Sequence, residues 1–163
     1  MPASLDSFPR VTFQRERIAD AWDEALPLML ANHDETGALP GCDFAPDREK
    51  FEKIDELGMI RAFTARINGV LVGYAVFIVS PHLHYRDLVW GVQDVVFVLP
   101  AHRGRAAIRF LRWQDEELAG EGVDLVYRHV EIKHDYSRTL LRMDYHAEEQ
   151  RFVRDLRPTR RAS

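Results

Sequence analysis

Cysteine occurs once in 163 residues, at Cys42. A single thiol cannot close an internal disulfide, which fits a reducing compartment. Arg48 is the only basic residue close to Cys42 in sequence, so the expected thiol is unreactive. Lysine is scarce too, at three of the 22 basic residues. The formal charge is −4, and the only basic tract is the short stretch Arg157 to Arg161. Those features argue against general nucleic-acid binding. No apolar run approaches the roughly 20 residues of a membrane span. The first ten residues, MPASLDSFPR, hold no hydrophobic signal core. The cytoplasm is the expected location.

What is present is ordinary for a globular chain: 46% hydrophobic and 29% charged residues. This length suits one domain with a proper core. We expect a single domain over 1–156 and a disordered basic tail over 157–163. Val11 to Arg15 alternates like a short strand. Ile18, Trp22, Leu26, Met29 and Leu30 recur at helical spacing, and Pro27 within that span predicts a kink or two short helices. Asn32 to Pro46 reads as loop. Asp47 is placed to cap a second helix, with Phe51, Ile54 and Leu57 inward and Gly58 at its end. Met59 to Ile67 and Val70 to Val79 flank Asn68-Gly69, a strong hairpin signal. Gly73 inside the second of these strands points to a bulge or a close backbone approach. The loop SPHLHYRD leads into a long strand, Leu88 to Leu99. Further strands are expected at Asp124 to Ile132 and Gln150 to Leu156, with a short helix, Tyr136 to Met143, between them.

The chain is organised around Val95 to Leu118, VVFVLPAHRGRAAIRFLRWQDEEL, which reads as strand, tight turn and helix. The first N–H groups of such a helix lack intrahelical partners. Its dipole adds about half a positive charge there. Arg103 and Arg105 add two full charges, and Gly104, Ala106 and Ala107 let a bulky anion approach the backbone. That chemistry suits a phosphate or pyrophosphate.

The same residues resemble motif A of the GNAT superfamily of N-acetyltransferases. Val98-Leu99-Pro100 and Arg103-Gly104-Arg105-Ala106-Ala107-Ile108 stand at the motif positions, with Ala106 in place of a glycine and Ile108 in place of a small residue. Val70-Leu71-Val72-Gly73-Tyr74 after Asn68-Gly69 resembles that family's hairpin strand, and Leu141 to Tyr145 resembles its Leu-Tyr-x-x-x-Gly-Phe ending. More narrowly, the chain is similar to small GNAT-like proteins of bacteriophages and prophages. The resemblance implies an α/β (α+β) GNAT fold, a mixed central sheet of about six strands flanked by about four helices. It also implies acetyl-CoA as co-substrate, no metal, and transfer of acetyl to a primary amine of a small molecule or protein. A monomer or homodimer, acting on neither nucleic acid nor membrane, is expected.

By resemblance, the main chain of Val96, Phe97 and Val98 pairs with the pantetheine arm. The N–H groups from Arg103 through Gly104, Arg105, Ala106 and Ala107 to Ile108 take the pyrophosphate, and Lys133 stands where a CoA-holding Asn is frequent. Asp94 lies near where an acidic residue is common. An ordinary aspartate has a pKa of about 3.9, low for a base, so relay through water is one route. His82, His84 and Tyr85 offer a second candidate group for substrate binding, with His84 a candidate base because histidine titrates near 6.5. Leu140 occupies the position of the family's usual acid tyrosine, which leaves Tyr136 or water for that step. Two other readings stay open: a GNAT-fold protein that has lost catalysis and acts as an interaction module, and a metal site using His82, His84, His129 and His134.

Overall fold

The computed structural model describes residues 10–37, 39 and 41–157. Strand β1 (Val11–Glu16) leads into helices α1 (Ile18–Thr36) and α2 (Arg48–Glu56). Strands β2 (Ile60–Ile67), β3 (Val70–Pro81) and β4 (Val89–Val98) follow, then a 3-10 turn at Pro100–His102 and helix α3 (Arg105–Gly120). A short β5 (Leu125–Tyr127), a 3-10 turn at Ile132–His134 and α4 (Ser137–Leu141) complete the order. The sheet runs β1-β2-β3-β4-β5, antiparallel except for the parallel β4–β5 pair.

Strand β3 is buried on both faces because helices cover both. Ile18, Trp22, Ala25, Leu28 and Met29 of α1 pack with Leu71, Tyr74 and Val76 on one face. Phe110 and Leu118 of α3 pack with Phe63, Ala75, Phe77 and Val79 on the other. That two-sided burial explains the near-continuous apolar run of β3.

Helix α1 runs unbroken through Pro27 rather than as two short helices. Proline frees the carbonyl of residue 23, but Asp23 and Pro27 are exposed, so water can satisfy that group. The buried stripe from Ile18 to Met29 holds the rest of the helix on the sheet. Its first turn is capped from outside: Asp55 of α2 accepts from the Ile18 N–H at 3.1 Å and pairs with Arg17 at 2.7 Å. Asp47 caps α2 as expected, accepting from the Lys50 N–H at 3.1 Å. Leu57 is exposed rather than inward, since it lies past the last helical residue.

Gly73 makes the close approach expected of it. A Cβ there would stand 3.0 Å from the Phe97 carbonyl oxygen and from Val98 Cγ2. We predict that Gly73→Ala forces β3 and β4 apart and lowers stability by about 1–3 kcal/mol. Urea unfolding would reveal it, and an unchanged midpoint would show that the strands yield freely.

The last expected strand is absent. Residues Gln150 to Leu156 form no ladder, and Phe152, Val153 and Leu156 are exposed. Their apolar positions do not alternate, so no single face is offered for burial. Among the described residues five strands stand where about six were expected. Arg157 is held by Asp155 at 2.6 Å; residues 158–163 of the expected tail lie outside the described residues.

Candidate functional site

Strands β4 and β5 pair only from Trp90↔Leu125 to Val92↔Tyr127. The expected strand over Asp124 to Ile132 thus stops early, and beyond Val92 the two segments part. The cleft between them has a volume of about 690 Å³, within the ordinary range for small-molecule sites. Its walls come from the open edge of β4, the turn into α3, the end of α1 and the segment His129 to Tyr136.

The open edge follows from strand alternation. The Leu99 N–H bonds Val72 O at 2.9 Å, toward β3. The Phe97 carbonyl also faces β3, beside Gly73. Val96 and Val98 therefore turn their N–H and C=O groups toward the cleft, while the main chain of Phe97 is used within the sheet. Of the three residues expected along the edge, two offer pairing groups. The Val98 carbonyl already accepts from Arg103 Nε at 2.8 Å.

Gly104 precedes α3 with φ +98°, a conformation that disfavours any side chain. The first intrahelical bond is that of the Ile108 N–H to Gly104 O, at 3.0 Å. The N–H groups of Arg105, Ala106 and Ala107 precede it and have no intrahelical acceptor. Ile108 itself has spent its N–H, and the Arg103 N–H bonds Pro100 O at 3.3 Å. Gly104, Ala107 and Ile108 line the cleft; the exposed Arg105 and the half-buried Ala106 are not among its walls.

Arg103 lies across the cleft mouth. Its guanidinium sits over the Phe97 ring, 5.5 Å from the centroid, and donates to Glu35 of α1 at 2.6 Å. Glu35 also meets the ring of His134, 3.2 Å from Nδ1. The hydrogen bond from Arg103 holds the Glu35 carboxyl below the usual range, opposed by partial burial. Lys133 lines the same mouth, with Nζ 3.3 Å from where a Cβ on Gly37 would stand.

The floor is a polar network. Tyr136, immediately before α4, donates to the His129 carbonyl at 3.2 Å and stands 3.3 Å from Gln93 Nε2. Burial raises the Tyr136 hydroxyl above its usual value, so it stays protonated at neutral pH. Gln93 Oε1 accepts from Arg128 Nη1 at 3.1 Å. The wholly buried Arg128 side chain also reaches Gln114, Asp115, the Leu111 carbonyl and the Tyr145 hydroxyl.

Asp94 is set apart by a bulge. Val76 pairs with Val95 and Phe77 with Gln93, so Asp94 has no partner on β3. Bulges re-aim side chains in this way. Asp94 is exposed and lines both the main cleft and a second one of about 410 Å³ under α1 and the loop before α2. Asn32, Thr36 and Val95 line both as well, so the two spaces join at the bulge. His129 lines the same cleft as Asp94. Burial lowers its pKa below the ordinary 6.5, opposed by the Asp94 charge, so it is neutral at pH 7.

His82, His84 and Tyr85 are not brought to either cleft. The pair Pro81↔Val89 fixes their loop at the start of β4. The cleft begins four residues on at Gln93, about 13 Å along the strand. The loop folds on itself there: His82 packs on Tyr85 and Trp90, with centroids 4.8 and 4.6 Å away, and His84 N–H donates to His82 Nδ1 at 3.1 Å. Nor are the four histidines of the metal reading gathered, and among the described residues no group of three or more His, Cys, Asp or Glu is placed to hold a metal. Sequence reasoning gave Glu35, Asn32 and Thr36 no role, because only the fold brings the end of α1 to β4. Gln93 did carry a signal, as a polar residue in an apolar strand.

No protein-family model matches the sequence, and no curated protein is similar to it in sequence. Solved structures do match the fold. A ribosomal-protein-alanine N-acetyltransferase from Brucella melitensis biovar Abortus 2308 is 20% identical, with TM-score 0.69, over 90% of this chain and 99% of that one. An aminoglycoside acetyltransferase from an uncultured soil metagenomic sample, in complex with sisomicin, is 14% identical with TM-score 0.69, over 92% and 97%. A transcriptional regulator from Bacillus halodurans C-125 is 17% identical with TM-score 0.70, over 90% and 100%. The architecture is thus the mixed α/β fold of the GNAT acetyltransferases.

Proposed function

We propose that the chain is an N-acetyltransferase that moves an acetyl group from acetyl-CoA to a primary amine. One observation carries the reading: a glycine-led helix N-terminus and an open strand edge border one cleft, which meets a second at Asp94. The donor set fits the co-substrate. The N–H groups of Arg105, Ala106 and Ala107, with Arg103 and Lys133, suit a pyrophosphate. Val96 and Val98 offer strand-like pairing to an amide-bearing arm. The thioester supplies an activated acyl group.

The protein's own residues do the rest. Asp94 holds the ammonium where the clefts join. His129, neutral at pH 7, takes its proton directly or through water. The amine nitrogen then forms the new C–N bond as the C–S bond breaks. Tyr136, still protonated, is the acid on that wall for the departing thiolate. Most of the rate would come from holding amine and thioester together.

Glu35 competes with phosphate for Arg103. Titrating acetyl-CoA by calorimetry should therefore show micromolar binding for the wild type, at least tenfold weaker binding for Arg103→Glu, and several-fold tighter binding for Glu35→Gln. Wild-type protein that takes up no acetyl-CoA would sink the reading. A second reading, a binding module without catalysis, is favoured by Ile108, whose branched side chain lines the cleft beside Gly104. Its signature is acetyl-CoA binding without CoA release over a broad panel of amines.

A further inference from the structure

The second cleft has a chemistry of its own. Its walls include Met29, Leu39, Phe44, Phe51, Tyr74 and Val76. These rings are fixed rather than loose. Phe44 stacks on His33 with centroids 4.5 Å apart, and Phe51 packs on Trp22 at 5.6 Å. Tyr74 is buried and lines the cleft with Asn32. The charged walls are acidic: Asp94 lies at the inner end, where the cleft meets the first, and Asp43 lies in the loop before α2. Among the described residues, neither lysine nor arginine lines it. Arg157, which touches Cys42 of the same wall, is held by Asp155.

We propose that this cleft takes a primary amine borne on a flat, apolar body without any negatively charged group, an aralkyl amine in chemical class. The proposal rests on the reading above for what then happens to the amine. Three features carry it. The carboxylate of Asp94 stands at the junction, so an ammonium paired with it faces the cleft that would hold the thioester. The aromatic walls behind it bury a ring, and ring–ring contacts add to that burial. An anionic substituent on the same molecule meets two carboxylates, with no lysine or arginine among the described lining residues to offset them, and like charges at close quarters cost several kcal/mol. Sugar phosphates and amino acids are disfavoured on that ground. In the reaction one ammonium proton passes to His129 or to water, the amine nitrogen gains the acetyl carbon, the thiolate leaves with the C–S electron pair, and the second proton lost from nitrogen balances the one the thiolate takes up.

Phenethylamine and phenylalanine test this directly, because they share a ring and an amine and differ by one carboxylate. Binding of each to the full chain can be followed by NMR shift perturbation without acetyl-CoA. Phenethylamine should bind at least 100-fold more tightly, perturbing residues around Phe44 and Asp94. Phe44→Ala should weaken it at least tenfold and leave acetyl-CoA binding unchanged. Phe44 is partly exposed in a loop, so that change leaves the fold intact. Equal binding of the two probes overturns the proposal, as does binding of neither. Spermidine binding at these residues in preference to phenethylamine overturns it too, since it would mean that the carboxylates alone do the recognising. Calorimetry with acetyl-CoA separates the two claims. Uptake of acetyl-CoA with no phenethylamine binding removes the substrate class and keeps the transferase. Phenethylamine binding with no uptake of acetyl-CoA removes the transferase and keeps the amine site.

Discussion

Removing the Asp115 carboxylate should destabilise the protein more than removing the guanidinium it serves. The Arg128 side chain is fully buried, whereas the Asp115 side chain is 28% exposed. Asp115→Ala therefore leaves a buried positive charge without its counter-ion, at a cost of about 3–5 kcal/mol. Arg128→Met leaves a carboxylate that water still reaches and an apolar chain lying against Phe77, over which the guanidinium now sits at 5.0 Å. Its cost should be about 1–3 kcal/mol, mostly from the polar groups it abandons. Those are Gln93, Gln114, the Leu111 carbonyl and the Tyr145 hydroxyl. The Tyr145 hydroxyl, whose pKa burial lifts to about 12, also donates to Asp115 at 2.9 Å. The double variant should recover part of the Asp115→Ala loss. Urea unfolding of the three variants decides the point; equal losses in both single variants would mean that the buried charge is not the controlling term. Loss of Arg128 should also loosen the cleft, because Gln93 and Tyr136 are held through it.

A comparably large effect is expected on catalysis at the junction of the clefts. His129→Gln should lower kcat by about 10²-fold or more and leave acetyl-CoA affinity unchanged. Asp94→Asn should raise KM for the amine as well as lower kcat, because the proposed reading pairs that carboxylate with the ammonium. The pH profile separates them. Burial lowers the His129 pKa from 6.5, so the neutral, proton-accepting form persists to more acid pH than for an ordinary histidine. The wild-type rate should therefore fall only below pH 6.5, and His129→Gln should lack that limb. Stability follows the same sign. The folded state resists protonation of His129, so this contribution is whole above the unfolded value of about 6.5. It is lost as pH falls through the folded value. A rate that keeps its acid limb in His129→Gln would assign the proton elsewhere.

Much of this was legible because it is local. The Asp47 cap, the Asn68-Gly69 hairpin, the close approach at Gly73 and the strand–turn–helix around Gly104 each depend on residues adjacent in sequence or on a paired strand. Pro27 did not split α1 in two because the cost of a helical proline is local, while the compensation comes from the sheet that α1 packs against. Gln150 to Leu156 misled because a strand needs an edge to join as well as suitable residues. His82 and His84 were attractive as chemistry, but strand pairing fixed them at the start of β4, away from both clefts.

The sequence by itself determined most of the elements, the sheet-covering helices and the glycine-led turn into α3, since periodicity, caps and glycines act over a few residues. The tertiary structure alone decided which side chains share a cleft. Glu35 meets Arg103 across 68 positions, and Asp94 meets His129 only because β5 leaves the ladder after Tyr127. Such meetings depend on where strands part and where a bulge turns a residue outward, and those are properties of packing rather than of any short stretch of chain.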